Sequence, residues 1–145
     1  MTRYKMADLD QWAAKVKRRQ EAILRQAIND MLNGIEIVPG ISRGGAPQRG
    51  KIPRDIGALA NSLQSSLRGS SALSQTGEDS YVMIVGAMST GDVARFVWGG
   101  NAAPHARAIH YGFGSYPGTF WVDVAAGKWS GYVNAATARA KALIQ

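Results

Sequence analysis

The feature that most constrains this chain is an amphipathic stretch between residues 9 and 33. Apolar side chains recur there at steps of three and four residues, which places them on one face of an α-helix. They are Leu9, Trp12, Ala13, Val16, Ile23, Leu24, Ala27, Ile28 and Met31. We expect Asp8 to cap the start of this helix and Gly34 to follow its end in a left-handed conformation. The helix would be about 37 Å long, so we expect part of it, including Trp12, to pack against another subunit.

The rest of the chain alternates strand-like and helix-like segments. Clustered β-branched and aromatic residues favour strands, and capped apolar positions at helical spacing favour helices. We predict strands at 35–38, 81–85, 108–111 and 120–124, short helices beginning at Asp55 and Asp92, and a helix from Trp129 onward. The pattern therefore predicts a single α+β domain over residues 1–145. In it, a long N-terminal helix and a C-terminal helix pack on a mainly antiparallel sheet.

Residues 39–54 interrupt this pattern. The segment holds three of the five prolines, four glycines and four basic residues, without an acidic one. We expect a flexible basic loop that its own subunit holds only weakly. Its basic side chains are candidates to face DNA or a partner protein, and they are Arg43, Arg49, Lys51 and Arg54.

Charge and cysteine content narrow the class of protein. The chain carries a net charge of +7, and 11 of its 17 basic residues lie within residues 1–54. Such a bias is typical of proteins with an anionic neighbour, although a solvated helix face beside a basic loop produces it too. Cysteine is absent, which excludes disulfides and thiolate metal sites and fits a reducing compartment. No apolar run reaches the roughly 18 residues of a membrane span, and we expect neither a secretory signal nor a membrane partner.

Two motifs in the sequence bear on possible catalytic or metal chemistry. Gly45–Lys51 fits the opening of a phosphate-binding loop, but Ile52 replaces the magnesium-binding Ser or Thr, and Pro53 blocks the helix that should follow. His105 and His110 are five residues apart, which would place them on opposite faces of a strand. We therefore predict no metal site, no cofactor and no enzymatic activity.

An aromatic cluster lies in the last third of the chain. Platforms that stack nucleic-acid bases combine aromatic residues with a positive groove, but only Arg107 and Lys128 flank this cluster. The cores of protein interfaces are enriched in aromatic residues, so we expect packing in the core or between subunits. The candidates for a subunit interface are Trp12, Tyr111, Phe113, Phe120 and Trp121.

Three segments together resemble a known family. Lys51–Leu63 is similar to the "P-x-D-T-G-x-L-x-x-S-I" opening found in neck proteins of long-tailed bacteriophages, the head–tail joining, tail-completion or minor tail protein Z-like proteins. Ala106–Gly112 resembles their "Y-A-x-x-V-E-F-G" segment, and Thr119–Ala125 resembles their "P-F-L-x-x-A" segment. Ile56 stands where Thr is usual, and His110 where Glu is usual.

The resemblance implies a structural virion protein in the neck or tail, assembled in the host cytoplasm. Copies of the chain would form a ring, for example a hexamer, between the head connector or stopper and the tail-tube or tail-terminator proteins. Genomic DNA would pass through its lumen. Three alternatives remain open from the sequence: a small basic nucleic-acid-binding protein, a tail terminator that caps the tail tube, and a small hydrolase that uses His105 or His110.

Overall fold

The computed structural model describes residues 6–35, 37–40, 44–54, 57–69, 72–89 and 91–143. These residues form six α-helices and seven short strands, with a 3-10 turn at Gly100–Ala102. The helices are α1 (Met6–Gly34), α2 (Ala58–Asn61), α3 (Ser80–Ala87), α4 (Ala106–Tyr111), α5 (Trp121–Gly127) and α6 (Trp129–Leu143). The strands are β1 (Ile37–Pro39), β2 (Ile52–Arg54), β3 (Gln64–Arg68), β4 (Leu73–Thr76), β5 (Val93–Val97), β6 (Gly112–Phe113) and β7 (Tyr116–Pro117).

The two predicted terminal helices are confirmed, and they pack on each other. α6 contacts α1, and the Arg139 guanidinium lies 3.8 Å from the Asp30 carboxylate between them. Both predicted caps of α1 are wrong. The helix begins at Met6, so Asp8 lies within its first turn. Gly34 is the last helical residue and lacks a positive φ.

The central sheet has three antiparallel strands in the order β4-β3-β5. This confirms the predicted α+β class with a mainly antiparallel sheet. Ser65 and Leu67 of β3 are buried on the inner face, where α3 packs. The Ser65 and Ser80 hydroxyls lie 2.7 Å apart and join β3 to α3. Arg68 and the other outward residues of β3 lie on the opposite, outer face.

The predicted strand at 81–85 is wrong because these residues are helical, and the predicted helix at 92–98 is wrong because residues 93–97 form a strand. Residues 81–85 lie within α3, whose Ile84 is fully buried while Val82 and Met83 are exposed. An uninterrupted apolar run has no period, so it fits a short helix as well as a strand. Residues 93–97 form β5, where exposed and half-buried side chains alternate strictly. That alternation is the period of a strand.

The predicted strands at 108–111 and 120–124 are also wrong. These residues belong to α4 and α5, and the β6–β7 hairpin connects the two helices. The chain after the hairpin crosses back over the end of α4. There the Thr119 amide donates to the Ile109 carbonyl (3.1 Å), and the Phe120 amide donates to the His110 carbonyl (3.0 Å). Helices of six or seven residues are too short to show a helical period in the sequence.

The basic loop is shorter and better anchored than predicted. Pro39 ends β1, and Ile52–Arg54 form β2, which pairs with β1 in parallel. The Gly50 amide donates to the Thr119 carbonyl. The prediction of a weakly held loop over all of residues 39–54 is therefore wrong at both ends of the segment.

The short helix predicted to begin at Asp55 is present as the single turn α2 at Ala58–Asn61, and Asp55 lies outside the described residues. Apolar residues at four-residue steps, Leu59, Leu63 and Leu67, indicate a longer helix in the sequence. All three are buried, but only Leu59 is helical. Leu67 instead reaches the core from β3.

One hydrophobic cluster joins the helices to the inner face of the sheet. α1 contributes Ile28 and Leu32, α3 contributes Ile84, β3 contributes Leu67 and α5 contributes Trp121. This cluster fixes the second half of α1 and the start of α5 relative to the sheet. It thereby determines which surfaces around them face outward.

Candidate assembly surfaces

The first half of α1 presents apolar side chains that its own chain leaves uncovered. Residues 8–14 are all exposed, including Trp12 at 66% and Leu9 at 46%. In the second half of the same helix Ala27 is fully buried and Ile28 is only 4% exposed. The apolar stripe of α1 is thus continuous in sequence, but among the described residues only its second half is buried.

A groove of about 380 Å³ lies between the end of β5, α4 and α5. We call it the His110 groove. It forms because the β6–β7 hairpin turns the chain back, so that the side chains of α5 face those of α4. Exposed apolar side chains stand at its rim. They are Val97 (39%), Tyr111 (58%) and Val122 (44%).

The floor of the His110 groove contains buried polar atoms. His110 is 6% exposed, and its ring lies edge-on to that of Trp121, with centroids 5.0 Å apart. The His110 Nε2 atom lies 3.9 Å from the Asp123 Oδ1 atom, beyond hydrogen-bond distance. Neither ring nitrogen of His110, nor Trp121 Nε1, has a hydrogen-bond partner among the described residues. These three nitrogen atoms are buried beneath the groove surface, and the exposed polar groups of the groove are those of Arg107 and Asp123 on its walls.

The structure separates the four predicted basic candidates. Arg43 lies outside the described residues. The Arg54 guanidinium forms an ion pair with the Glu78 carboxylate. The Lys51 ammonium donates to the Gly34 carbonyl at 3.0 Å, at the end of α1, where a cation interacts favourably with the helix dipole. Arg49 is exposed, and its guanidinium lies 5.2 Å from the Phe120 ring centroid. Lys51 and Arg54 therefore contact their own chain, and Arg49 remains a candidate for outside contacts.

The environment of Lys51 also bears on the phosphate-loop motif. The residues that follow it form β2, whereas a phosphate-binding loop leads into a helix whose amides hold the anion. Within the described ranges, no three or more His, Cys, Asp or Glu side chains come together in a way that could hold a metal ion.

The predicted aromatic candidates fall into two groups. Trp12, Tyr111 and Phe113 are exposed at the surface, and Phe113 stacks on Tyr116 with ring centroids 5.2 Å apart. Phe120 is half-buried beneath Arg49. Trp121 is only 2% exposed and belongs to the core. Its assignment to a subunit interface is wrong, because its own chain encloses it.

The outer face of the central sheet carries two arginines that were not among the predicted site residues. Arg68 and Arg95 lie there on neighbouring strands, since Arg68 pairs with Val93, and Ser66 with Arg95, in the β3–β5 register. Neither arginine has an ion-pair partner in the part of the chain that the structure describes. Four of the five residues at 93–97 are apolar, so their alternation in exposure results from the fold and is not visible as a polar–apolar pattern in the sequence.

A scan of protein-family models and searches of curated proteins and of solved structures returned no match to this chain. No helix in the described ranges is both long and apolar enough to span a membrane.

Proposed function

We propose that this protein is a structural virion protein that forms a ring in the neck of a long-tailed bacteriophage and joins the DNA-filled head to the tail. One observation carries the proposal. The chain presents two separate uncovered apolar surfaces, the first half of α1 and the rim of the His110 groove. Exposed apolar patches of this kind mark sites of protein association. Contact between two different surfaces of identical copies is heterologous, and such contacts close into a ring when the rotation permits.

Hydrogen bonds anchor the three family-like segments within the fold. In the first segment, the Ser62 hydroxyl accepts a hydrogen bond from the Gly99 amide (2.9 Å) and donates one to the Leu59 carbonyl (2.6 Å). The third segment is bonded to the second through the Phe120 amide and the His110 carbonyl. These segments form structural joints of the fold. Their role is to hold α1 and the His110 groove in fixed positions on the surface.

In such a ring the neighbours above and below would be the head connector or stopper and the tail-tube or tail-terminator proteins. The net charge of +7 suits a lumen through which DNA passes. Arg49 is the described member of the predicted basic set that is most available for this contact. A tail terminator would use the same ring geometry. The neck role and the tail-terminator role differ in which end of the tail tube binds the ring.

The proposal predicts a closed oligomer in solution. Sedimentation velocity and native mass spectrometry should give one discrete species whose mass is a multiple of 15.5 kDa. Addition of a tail-tube preparation should convert it to a heavier complex. The matched control is the same measurement on bovine serum albumin with the tail tubes, which should show no shift. A chain that stays monomeric at high concentration, and that occupies no symmetric ring in assembled particles, would contradict the proposal.

A second candidate function is nucleic-acid binding. It is favoured by Arg68 and Arg95 on the outer face of the sheet, which have no ion-pair partner among the described residues. If both arginines contact phosphates, Arg68→Ala with Arg95→Ala should lower the slope of log K against log salt by about 2 for duplex DNA. Fluorescence anisotropy over a salt series measures this slope. Lys141→Ala, an exposed cation on α6, is the matched control and should leave the slope within about 1 of the parent. Equal slopes for the parent and the double variant would exclude the sheet face as the DNA contact.

A further inference from the structure

We infer that the first half of α1 in one copy lies in the His110 groove of a neighbouring copy, with Trp12 as the anchoring side chain. The inference rests on the proposed self-assembly and names the two surfaces that make the contact. Residues 8–14 of α1 are all exposed, so they do not occupy the groove of their own chain. A second copy of the chain can therefore offer this half of α1 to the groove.

The spacing of side chains on α1 fits a helix that lies in a groove. Leu9, Trp12, Ala13 and Val16 follow the i, i+3, i+4, i+7 pattern of helices bound in this way. A tryptophan buries roughly 150–250 Å² of surface, and such residues dominate the free energy of association when they fill a pocket. The groove, at about 380 Å³, has room for one indole and part of a neighbouring side chain.

The charges on the two surfaces are complementary. Along α1, Asp8 lies one turn before Trp12, and Lys15 lies one turn after it. In the groove, Arg107 lies on the α4 wall and Asp123 lies on the α5 wall. Asp123 is 62% exposed, so a cation from outside can reach it. A helix that places Trp12 at the floor can therefore direct Lys15 toward Asp123 and Asp8 toward Arg107.

The chain contains no cysteine, which permits a direct test by cross-linking. We propose single variants Leu9→Cys and Val122→Cys, one of them carrying a size tag, mixed in equal amounts and oxidised. Disulfide-linked heterodimers should predominate over both homodimers on a non-reducing denaturing gel. The double variant Leu9→Cys/Val122→Cys should give a ladder of linked oligomers. The control pair is Leu9→Cys with Met83→Cys, an exposed position outside the groove, and it should link poorly.

Two substitution series test the energetics of the contact. Trp12→Ala should raise the dissociation constant of the assembly by about 30-fold, and Trp12→Phe should raise it less. Lys15→Asp and Asp123→Lys should each weaken assembly. The double variant should recover most of the lost affinity, because it places an acidic residue at 15 opposite a basic residue at 123 and so restores their attraction. The dissociation constants come from sedimentation equilibrium.

The outcomes separate this inference from the proposed function. Leu9→Cys homodimers that exceed the heterodimers would show that α1 pairs with α1 of another copy, which overturns the inference. An intact oligomer that neither links through Val122 nor weakens in Trp12→Ala would also overturn it, while leaving the proposed assembly in place. A parent protein that is monomeric at every concentration would contradict both the proposed function and the contact inferred here.

Discussion

Replacement of Trp121 by alanine is expected to lower the free energy of unfolding by about 3–5 kcal/mol, the range for loss of a large aromatic side chain from a core. Trp121 is 2% exposed. It packs edge-on against Trp98, with centroids 6.3 Å apart, and against His110 at 5.0 Å. Since small domains are stable by only about 5–15 kcal/mol, this loss is a large part of the total. Urea denaturation followed by circular dichroism measures it.

Two variants provide the controls for this prediction. Trp121→Phe keeps an aromatic ring in the core and should cost less than Trp121→Ala. Trp12→Ala removes the same side chain from a site that is 66% exposed, and should change the stability of the subunit by no more than about 0.5 kcal/mol. If Trp121→Ala instead kept the stability of the parent and only weakened assembly, Trp121 would lie at an interface and the described core would be wrong.

The two tryptophans show what the sequence could and could not predict about the candidate site. Both are large aromatic residues, and the sequence predicts a subunit-interface position for each of them. The difference in exposure arises from tertiary packing, because Trp98 and His110 pack against the Trp121 ring, whereas residues 8–14 of α1 are all exposed. The same holds for the cations. Composition directed attention to Lys51 and Arg54, but both contact their own chain.

The long elements were predictable, and the short ones were not. α1 and α6 span 29 and 15 residues, enough turns for the period of 3.6 to stand out from chance. α3 and β5 have eight and five residues. In the first, an unbroken apolar run hides its period. In the second, four of the five residues are apolar, so the sequence lacks the polar–apolar alternation that distinguishes a strand from a short helix.

The joint between α4 and α5 depends on a close backbone approach that no pattern of hydrophobicity reveals. Gly118 lies where the chain leaves the β6–β7 hairpin and crosses the end of α4. A Cβ atom added there would meet the His110 carbonyl oxygen and the Tyr111 carbonyl carbon, and would lie 2.8 Å from the Gly112 nitrogen. All three contacts are backbone atoms, which cannot rotate away as a side chain can. The absence of a side chain at Gly118 is therefore a condition for the hairpin to close.

Gly118→Ala is expected to lower the free energy of unfolding by about 3 kcal/mol, the upper part of the usual range for overpacking. It should also disturb the His110 groove, because the Thr119 and Phe120 amides bond to α4 immediately after this position. The matched control is Gly131→Ala on α6, where an added Cβ meets nothing within 4 Å. Replacement of an exposed helical glycine by alanine raises the free energy of unfolding by about 1 kcal/mol. The same substitution should therefore destabilise the protein at Gly118 and stabilise it at Gly131. Urea denaturation measures both, and stabilisation by Gly118→Ala would show that the α4–hairpin–α5 joint is not packed as described.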